Sequence, residues 1–217
     1  MNDTSETVLI IDDHPVVLDG LALLLRDIFD SVEVLTASHA EAAMECVLHR
    51  PDIDWIFLDI HLPGISGFEL LKQFSAKKIT ASVIVMSSEC DPPLIDQSLK
   101  YNARGVLSKV SGKAIFSECV KTVEQGRIFL VSEHAQQLKR YRESVLVEKQ
   151  LIEEGISKRQ REALLLIARG YTNKEISTSM SVTESTVKSH VSSLMNLFDA
   201  DNRTHCVAEA RRLGMLE

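Results

Sequence analysis

Two hydrophobic rhythms alternate along the first 130 positions of the chain. Short β-branched or aromatic runs stand at residues 7–11 (TVLII), 32–37, 55–59 (WIFLD), 82–87 (SVIVMS) and 105–108. Runs of this length, apolar throughout, predict strands buried on both faces. Between them the spacing changes to three and four. Val17, Leu21, Leu24, Leu25 and Ile28 predict a helix over 15–29, with Pro15 acceptable in its first turn. Further helices are predicted over 39–50, closed by Pro51, from 67 to 74, over 94–101 after Pro92 and Pro93, and over 113–124, ended by Gly126. Strand and helix alternating five times predict a doubly wound α/β domain, a flavodoxin-like five-stranded parallel sheet covered on both faces.

The pattern changes after residue 130. Residues 131–154 hold neither Gly nor Pro and are rich in Gln, Glu, Lys, Arg and Leu, which predicts a helical linker. Leu138, Tyr141, Val145, Leu146 and Leu151 form its apolar stripe, which fits a solvated tether and also a docking helix. Residues 155–217 read as helices throughout. Ser157 and Gln160 form a capping box, and a helix follows to Gly170. A short helix is predicted over 173–180, a tight connection at Ser181 and Val182, a third helix capped by Thr183 and running to about Phe198, and a last helix over 203–213. The predicted domains are therefore 1–130, a linker 131–154 and an all-α domain 155–217.

Composition narrows the class. The chain has 217 residues, 45% hydrophobic and 25% charged, ordinary for a globular protein. No run approaches the length of a membrane span and the polar start carries no signal-peptide core, so a cytoplasmic protein without membrane partners is expected. Cys46, Cys90, Cys119 and Cys206 are scattered and are expected to be reduced thiols. The net charge of −7 is uneven: residues 1–130 hold 11 Lys and Arg against 19 Asp and Glu, whereas residues 155–217 hold 9 against 7. An acidic front would repel nucleic acid; the back need not.

Ligands of doubly wound sheets sit at the carboxyl ends of the strands. There the sequence places Asp12 and Asp13, Asp59, Ser87 and Ser88, and Lys109. Clustered carboxylates repel each other, and a hard divalent cation relieves this; Mg²⁺ takes oxygen ligands and keeps waters that a phosphate oxygen can replace. A lysine supplies a point charge for phosphate, and a carboxylate can itself attack phosphorus to form an aspartyl phosphate. With no GxxxxGK[ST] and no GxGxxG, the phosphoryl donor is expected to be another protein or a small acyl phosphate.

Four motifs carry a resemblance: IIDDHP (10–15), LDIHLPGISG (58–67), VIVMSS (83–88) and LSKV (107–110). In this order they resemble the receiver domain of a bacterial two-component response regulator. The resemblance implies Asp59 as phospho-acceptor; Asp12, Asp13, Asp59 and the backbone carbonyl of His61 as Mg²⁺ ligands; Ser87 as switch hydroxyl; and Lys109 as phosphate-binding lysine. Where relatives usually carry Tyr or Phe, three residues before the lysine, this chain has Val106, which removes the ring of that signalling route. His14 is expected in a surface or supporting role and Trp55 as a strand or surface aromatic.

The third predicted helix of the back domain has two stripes. Val187, Val191, Leu194, Met195 and Phe198 form the apolar one; Ser185, Lys188, Ser189, Ser192 and Asn196 form the other, which is polar and short-chained enough to approach phosphates and base edges. Two helices joined by a tight turn read as helix-turn-helix. Residues 156–198, with Gln160, Glu162, Asn173, Lys174, Glu175, Ile176, Val182, Ser185, Val187, Lys188 and His190, resemble the LuxR-type DNA-binding domain of the NarL/FixJ subfamily. The resemblance implies that Thr183, Ser185, Thr186 and Lys188 touch phosphates or bases and that Ser189 and Ser192 read bases. A net charge of +2 on this domain implies weak binding by a monomer, hence a homodimer on double-stranded DNA, with Cys206, Val207, Ala210 and Leu213 either a dimer surface or residues that close the domain core.

The expected protein is a transcription factor switched by phosphoryl transfer from a sensor histidine kinase to Asp59, with no enzymatic activity beyond its own phosphorylation and dephosphorylation. An aspartyl-phosphate hydrolase would want an acid two residues after Asp59, where His61 stands. The other alternative is a phosphorylation-independent regulator whose receiver only dimerises or senses a ligand.

Overall fold

The five apolar runs become five parallel strands: β1 (Glu6–Ile11), β2 (Val32–Ala37), β3 (Trp55–Asp59), β4 (Ser82–Ser87) and β5 (Gly105–Ser108). Helices α1 (Pro15–Arg26), α2 (Ala40–His49), α3 (Gly67–Ala76), α4 (Pro92–Lys100) and α5 (Lys113–Glu124) connect them. The structure, a computed structural model, describes residues 5–216 and divides into two compact units between Lys139 and Arg140.

In the first unit the strand order is β2-β1-β3-β4-β5, so the connections reverse direction between β1 and β3. Burial on both faces explains the unbroken apolar strands. Val8, Ile10, Phe57, Ile84 and Met86 pack with Leu21 and Leu25 of α1 and Phe116, Cys119 and Val120 of α5. Leu9, Ile11, Ile56 and Leu58, alternating with them and so pointing to the other face, are equally inaccessible.

Packing decides or changes several details of the sequence reading. Of the two places expected for Trp55 the strand one holds: it is buried in β3, its ring centroid lies 5.8 Å from that of Phe29, and its indole N–H donates to Glu6 at 3.1 Å. Helix α1 stops at Arg26, three residues early, because Phe29 turns into the core. Helix α4 starts two residues early at Pro92: Asp91 accepts the Leu94 N–H at 2.8 Å, and both prolines occupy the turn whose N–H groups need no helical partner. Past α5, Phe129 lies along β5, its N–H donating to Arg104 O at 2.8 Å and its carbonyl accepting from Val106 at 3.3 Å. No alternating pattern announces this single bridge.

Helix α6 (Ser132–Gly155) contains the division between the units. The second unit continues with α7 (Lys158–Ala168), α8 (Asn173–Met180), α9 (Glu184–Leu197) and α10 (Arg203–Arg212). Side-chain caps start each of these four: Ser157 and Thr172 in full capping boxes, Thr183 on the Thr186 N–H, and Asn202 on the His205 N–H. Ser181, at φ 54°, makes the tight left-handed turn between α8 and α9. The core gathers Ile152, Ile156, Leu164, Ile167, Ile176, Met180, Val187, Leu194 and Phe198.

Burial separates two sets of readings left open by the sequence. Cys206, Ala210 and Leu213 are buried in the core and Val207 is half-buried, so these residues close the domain core, the second of their two readings. On α6, Leu138 is buried and Tyr141 and Val145 half-buried, whereas Leu146 and Leu151 face solvent. In the second unit Val145 and Ile152, seven residues apart and so on one side of α6, pack into the core, with Ile156 just beyond the helix.

All four cysteines are free thiols. Burial pushes the Cys119 thiol up to about 12 and the Cys206 thiol up to about 11, which keeps both protonated and unreactive. Among the described residues no helix is long and apolar enough to cross a membrane.

Candidate functional site

Strand register assembles the acidic pocket. Ile11 pairs with Leu58, so the next residues, Asp12 and Asp59, emerge side by side at the point where strand order reverses. Ser87 pairs with Ser108, and Lys109 follows with its N–H on Ser87 O at 2.9 Å. The Lys109 ammonium reaches back to bridge Asp12 Oδ2 at 2.6 Å and Asp59 Oδ2 at 2.7 Å. Burial alone would lower the Lys109 pKa; its bonds to Asp12 and Asp59, with their charges, more than offset this and hold it above the ordinary lysine value. The lysine is therefore a fixed cation.

Three carboxylate oxygens in the pocket, Asp12 Oδ2, Asp13 Oδ1 and Asp59 Oδ2, are buried; the Lys109 ammonium lies against the first and the last, and the His14 ring against the second. The second oxygens are engaged: Asp12 Oδ1 accepts from the His14 backbone at 2.9 Å and Asp59 Oδ1 from the His61 backbone at 3.0 Å. One ligand atom from each of Asp12, Asp13, His14 and Asp59 lies within 4.8 Å of the others. Buried anionic oxygens gathered this closely suit a hard divalent cation.

The loop after Asp59 is held by backbone. The Ile60 N–H donates to Met86 O at 3.2 Å and the Gly67 N–H to Ile60 O at 3.0 Å. Gly64 adopts φ +78°, open to glycine at no cost. Gly67 packs so closely on Asp59 that no side chain fits between them.

Ser87 is buried beside this cluster, but its hydroxyl points elsewhere: it donates to Glu89 O at 2.6 Å, accepts from the Glu89 N–H at 3.2 Å, and has His61 Nε2 at 3.4 Å. It makes no bond to Asp59. Val106 is fully buried in β5 opposite Val85, so an aliphatic core residue occupies the place of the expected ring. His14 takes the exposed, supporting place expected of it. Its Nδ1 lies 2.9 Å from Asp13 Oδ1 and 3.1 Å from Asp12 Oδ1, with its side chain still 64% exposed. Adjacency to the acid pair was the available signal; the bend of the chain into α1 turns the ring back onto it.

A second surface lies on α9. Val187, Leu194 and Phe198 are buried, while Ser185, Lys188, Ser189, Ser192 and Asn196 are exposed and Thr186 is half-buried, as the two stripes predict. Thr183 accepts the Thr186 N–H at 3.2 Å and shares hydrogen bonds with the Ser185 hydroxyl at 2.8 Å and the Thr186 hydroxyl at 2.9 Å. These hydroxyls ring the positive end of the α9 dipole, where phosphates bind readily. Gln160 Nε2 donates to Ser193 Oγ at 2.7 Å, tying α7 to α9. His190 is half-buried, in keeping with a packing role.

Comparisons with known proteins match a family in each part of the chain. Residues 8–121 match the family described as response regulator receiver domain, and residues 154–210 that of bacterial regulatory proteins, luxR family. The transcriptional regulatory protein LiaR of Bacillus subtilis is 33% identical, covering 94% of this chain and 96% of its own. The nitrate/nitrite response regulator protein NarL of Escherichia coli is 29% identical over 93% of both chains. A solved structure of the Salmonella typhimurium RcsB response regulator has a TM-score of 0.60 at 23% identity, covering 97% of this chain and 99% of that one, and bears on the fold.

Proposed function

The chain belongs to the response regulators that join a receiver domain to a LuxR-type DNA-binding domain, and from that premise we propose that Asp59 accepts a phosphoryl group from a sensor histidine kinase. The observation that carries the reading is the Asp12–Asp59–Lys109 cluster: a buried nucleophile, a second acid and one shared cation. An Asp59 carboxylate oxygen attacks phosphorus, the phosphorus–nitrogen bond of the donor's phosphohistidine breaks, and the imidazole leaves with its electron pair, taking up a proton. An acyl phosphate remains on Asp59. The Lys109 ammonium balances charge on the incoming phosphoryl oxygens.

Asp12, Asp13, Asp59 and the His61 backbone carbonyl would hold Mg²⁺, a reading supported by the three acid side chains whose ligand atoms gather within 4.8 Å of one another. When bound, Mg²⁺ supplies charge neutralisation for the phosphoryl group. The rest of the response belongs to the chain. The acyl phosphate draws Lys109 away from its shared position, and the Ser87 hydroxyl leaves Glu89 O to donate to a phosphoryl oxygen. That shifts an existing equilibrium of the loop between β4 and α4. With Val106 in the core, this route passes through Ser87 and Glu89 without an aromatic rotamer. The chain acts in the cytoplasm as a switch, catalysing only its own phosphorylation and dephosphorylation.

On DNA, Thr183, Ser185, Thr186 and Lys188 meet phosphates and base edges, with Ser189 and Ser192 toward the bases. A homodimer reads two half-sites about 34–36 Å apart. Lys188→Ala is expected to weaken binding evenly across sequences and to lower the slope of log affinity against log salt by about 1, read by fluorescence anisotropy at several salt concentrations.

The central test incubates wild type and Asp59→Ala with Mg²⁺ and a labelled phosphohistidine or acyl phosphate donor. Wild type should take up alkali-labile label and gain DNA affinity; the variant should do neither. Equal labelling of the two would end the assignment. The full burial of Val106 keeps one second reading, a regulator indifferent to phosphorylation. DNA binding that a beryllofluoride phosphoryl mimic leaves unchanged would favour it.

A further inference from the structure

Helix α6 is only half used by its own unit. Val145 and Ile152 pack into the core of the second unit, yet the opposite face carries Val147, 60% exposed, and Leu151, 65%, with Leu146, 64%, at its flank. Single exposed aliphatics are ordinary, but Val147 and Leu151, four apart, are neighbours on one face of an otherwise polar helix. Around them stand Arg140, Glu143, Ser144, Gln150 and Glu154, all exposed.

The order of these residues says what fits. Arg140, Val147 and Glu154 are spaced by seven, which keeps them on one stripe of the helix. A copy of the same stripe, laid antiparallel about Val147, sets Val147 on Val147 and places Arg140 of each chain against Glu154 of the other, twice. Parallel pairing would instead set Arg140 on Arg140 and Glu154 on Glu154, and like charges across an interface are costly. Glu154 is already turned along this face, its Oε1 accepting from Gln150 Nε2 at 3.2 Å.

We propose that two copies of this chain pair through the outer face of α6, antiparallel and centred on Val147. This deepens the homodimer reading above by naming the face through which the copies meet. The pairing needs neither DNA nor chemistry at Asp59, so its failure would leave the phosphoryl-transfer reading standing.

The experiment is sedimentation equilibrium of the full unphosphorylated chain without DNA, with circular dichroism to confirm unchanged helicity of each variant. Wild type is expected to dimerise reversibly below about 100 µM, as suits a small interface. Val147→Asp should raise the dissociation constant at least about tenfold, and Arg140→Glu should raise it by about five- to tenfold by opposing two glutamates twice. The double exchange Arg140→Glu with Glu154→Arg should return it to about the wild-type value, since it restores both pairs with their signs reversed. A chain that stays monomeric throughout that range, an association untouched by Val147→Asp and Arg140→Glu, or a double exchange no better than the single change would each overturn the proposal.

Discussion

Lys109→Met is expected to destabilise the metal-free protein by about 3 kcal/mol, because it leaves two buried carboxylates facing each other without a cation. Methionine keeps the volume and apolar stem of lysine, so the loss reports charge and not a cavity. Urea unfolding followed in EDTA and again in excess Mg²⁺ reads the effect. The variant should fall well below wild type in EDTA and recover part of the difference in Mg²⁺, because the divalent ion binds the folded pocket and restores positive charge to it. Phosphoryl transfer to Asp59 should drop by about 10²-fold even in saturating Mg²⁺, the usual consequence of removing one positioned charge from a phosphoryl site. Equal stability of variant and wild type in EDTA would show that the ammonium does not hold the acids together.

Gly67→Ala should be almost as damaging for a different reason. A Cβ at position 67 would stand 2.2 Å from Asp59 O and 2.6 Å from Ile60 Cα. Both are backbone atoms next to the nucleophile, so neither can swing aside as a side-chain tip would. The start of α3 or the Asp59 peptide must move, at about 3 kcal/mol for an overpacked site. Labelling of Asp59 should fall as well, since its carboxylate is aimed by the backbone that shifts. Gly20→Ala provides the contrast. Gly20 lies inside α1 with nothing within 4 Å of its added Cβ. There the same substitution should stabilise by about 0.5–1 kcal/mol, through the lower helical cost of alanine. Thermal unfolding of the two variants side by side decides the point: both neutral, or both destabilising, would contradict the packing described here.

Much of the site was legible because it is built from strand ends. A buried strand announces itself as an apolar run, and the residue where the run stops is the one at the rim. Asp12, Asp59, Ser87 and Lys109 all follow from that rule once the sheet is parallel. The two stripes of α9 were legible because helical period is local. What failed to show were choices among distant partners. Nothing near Trp55 says that Phe29 and Glu6 will enclose it. Nothing near Phe129 says that it will lie along β5. The α10 residues Cys206, Ala210 and Leu213 form an apolar face that would serve a core or a dimer equally, and only packing settled it as core.

By itself the chain's pattern determined the alternation of strands and helices, the change to an all-helical second part, the capped helix starts, and the residue types available at each rim. Those properties depend on neighbours a few positions away, where period, caps and prolines act directly on the backbone. Tertiary structure alone decided that Lys109 bridges two acids, that Ser87 turns to Glu89, that His14 folds back on the acid pair, and which side of α6 stays open. Each of these is a competition among groups far apart in sequence for one partner or one buried face, and its outcome is set by register and packing.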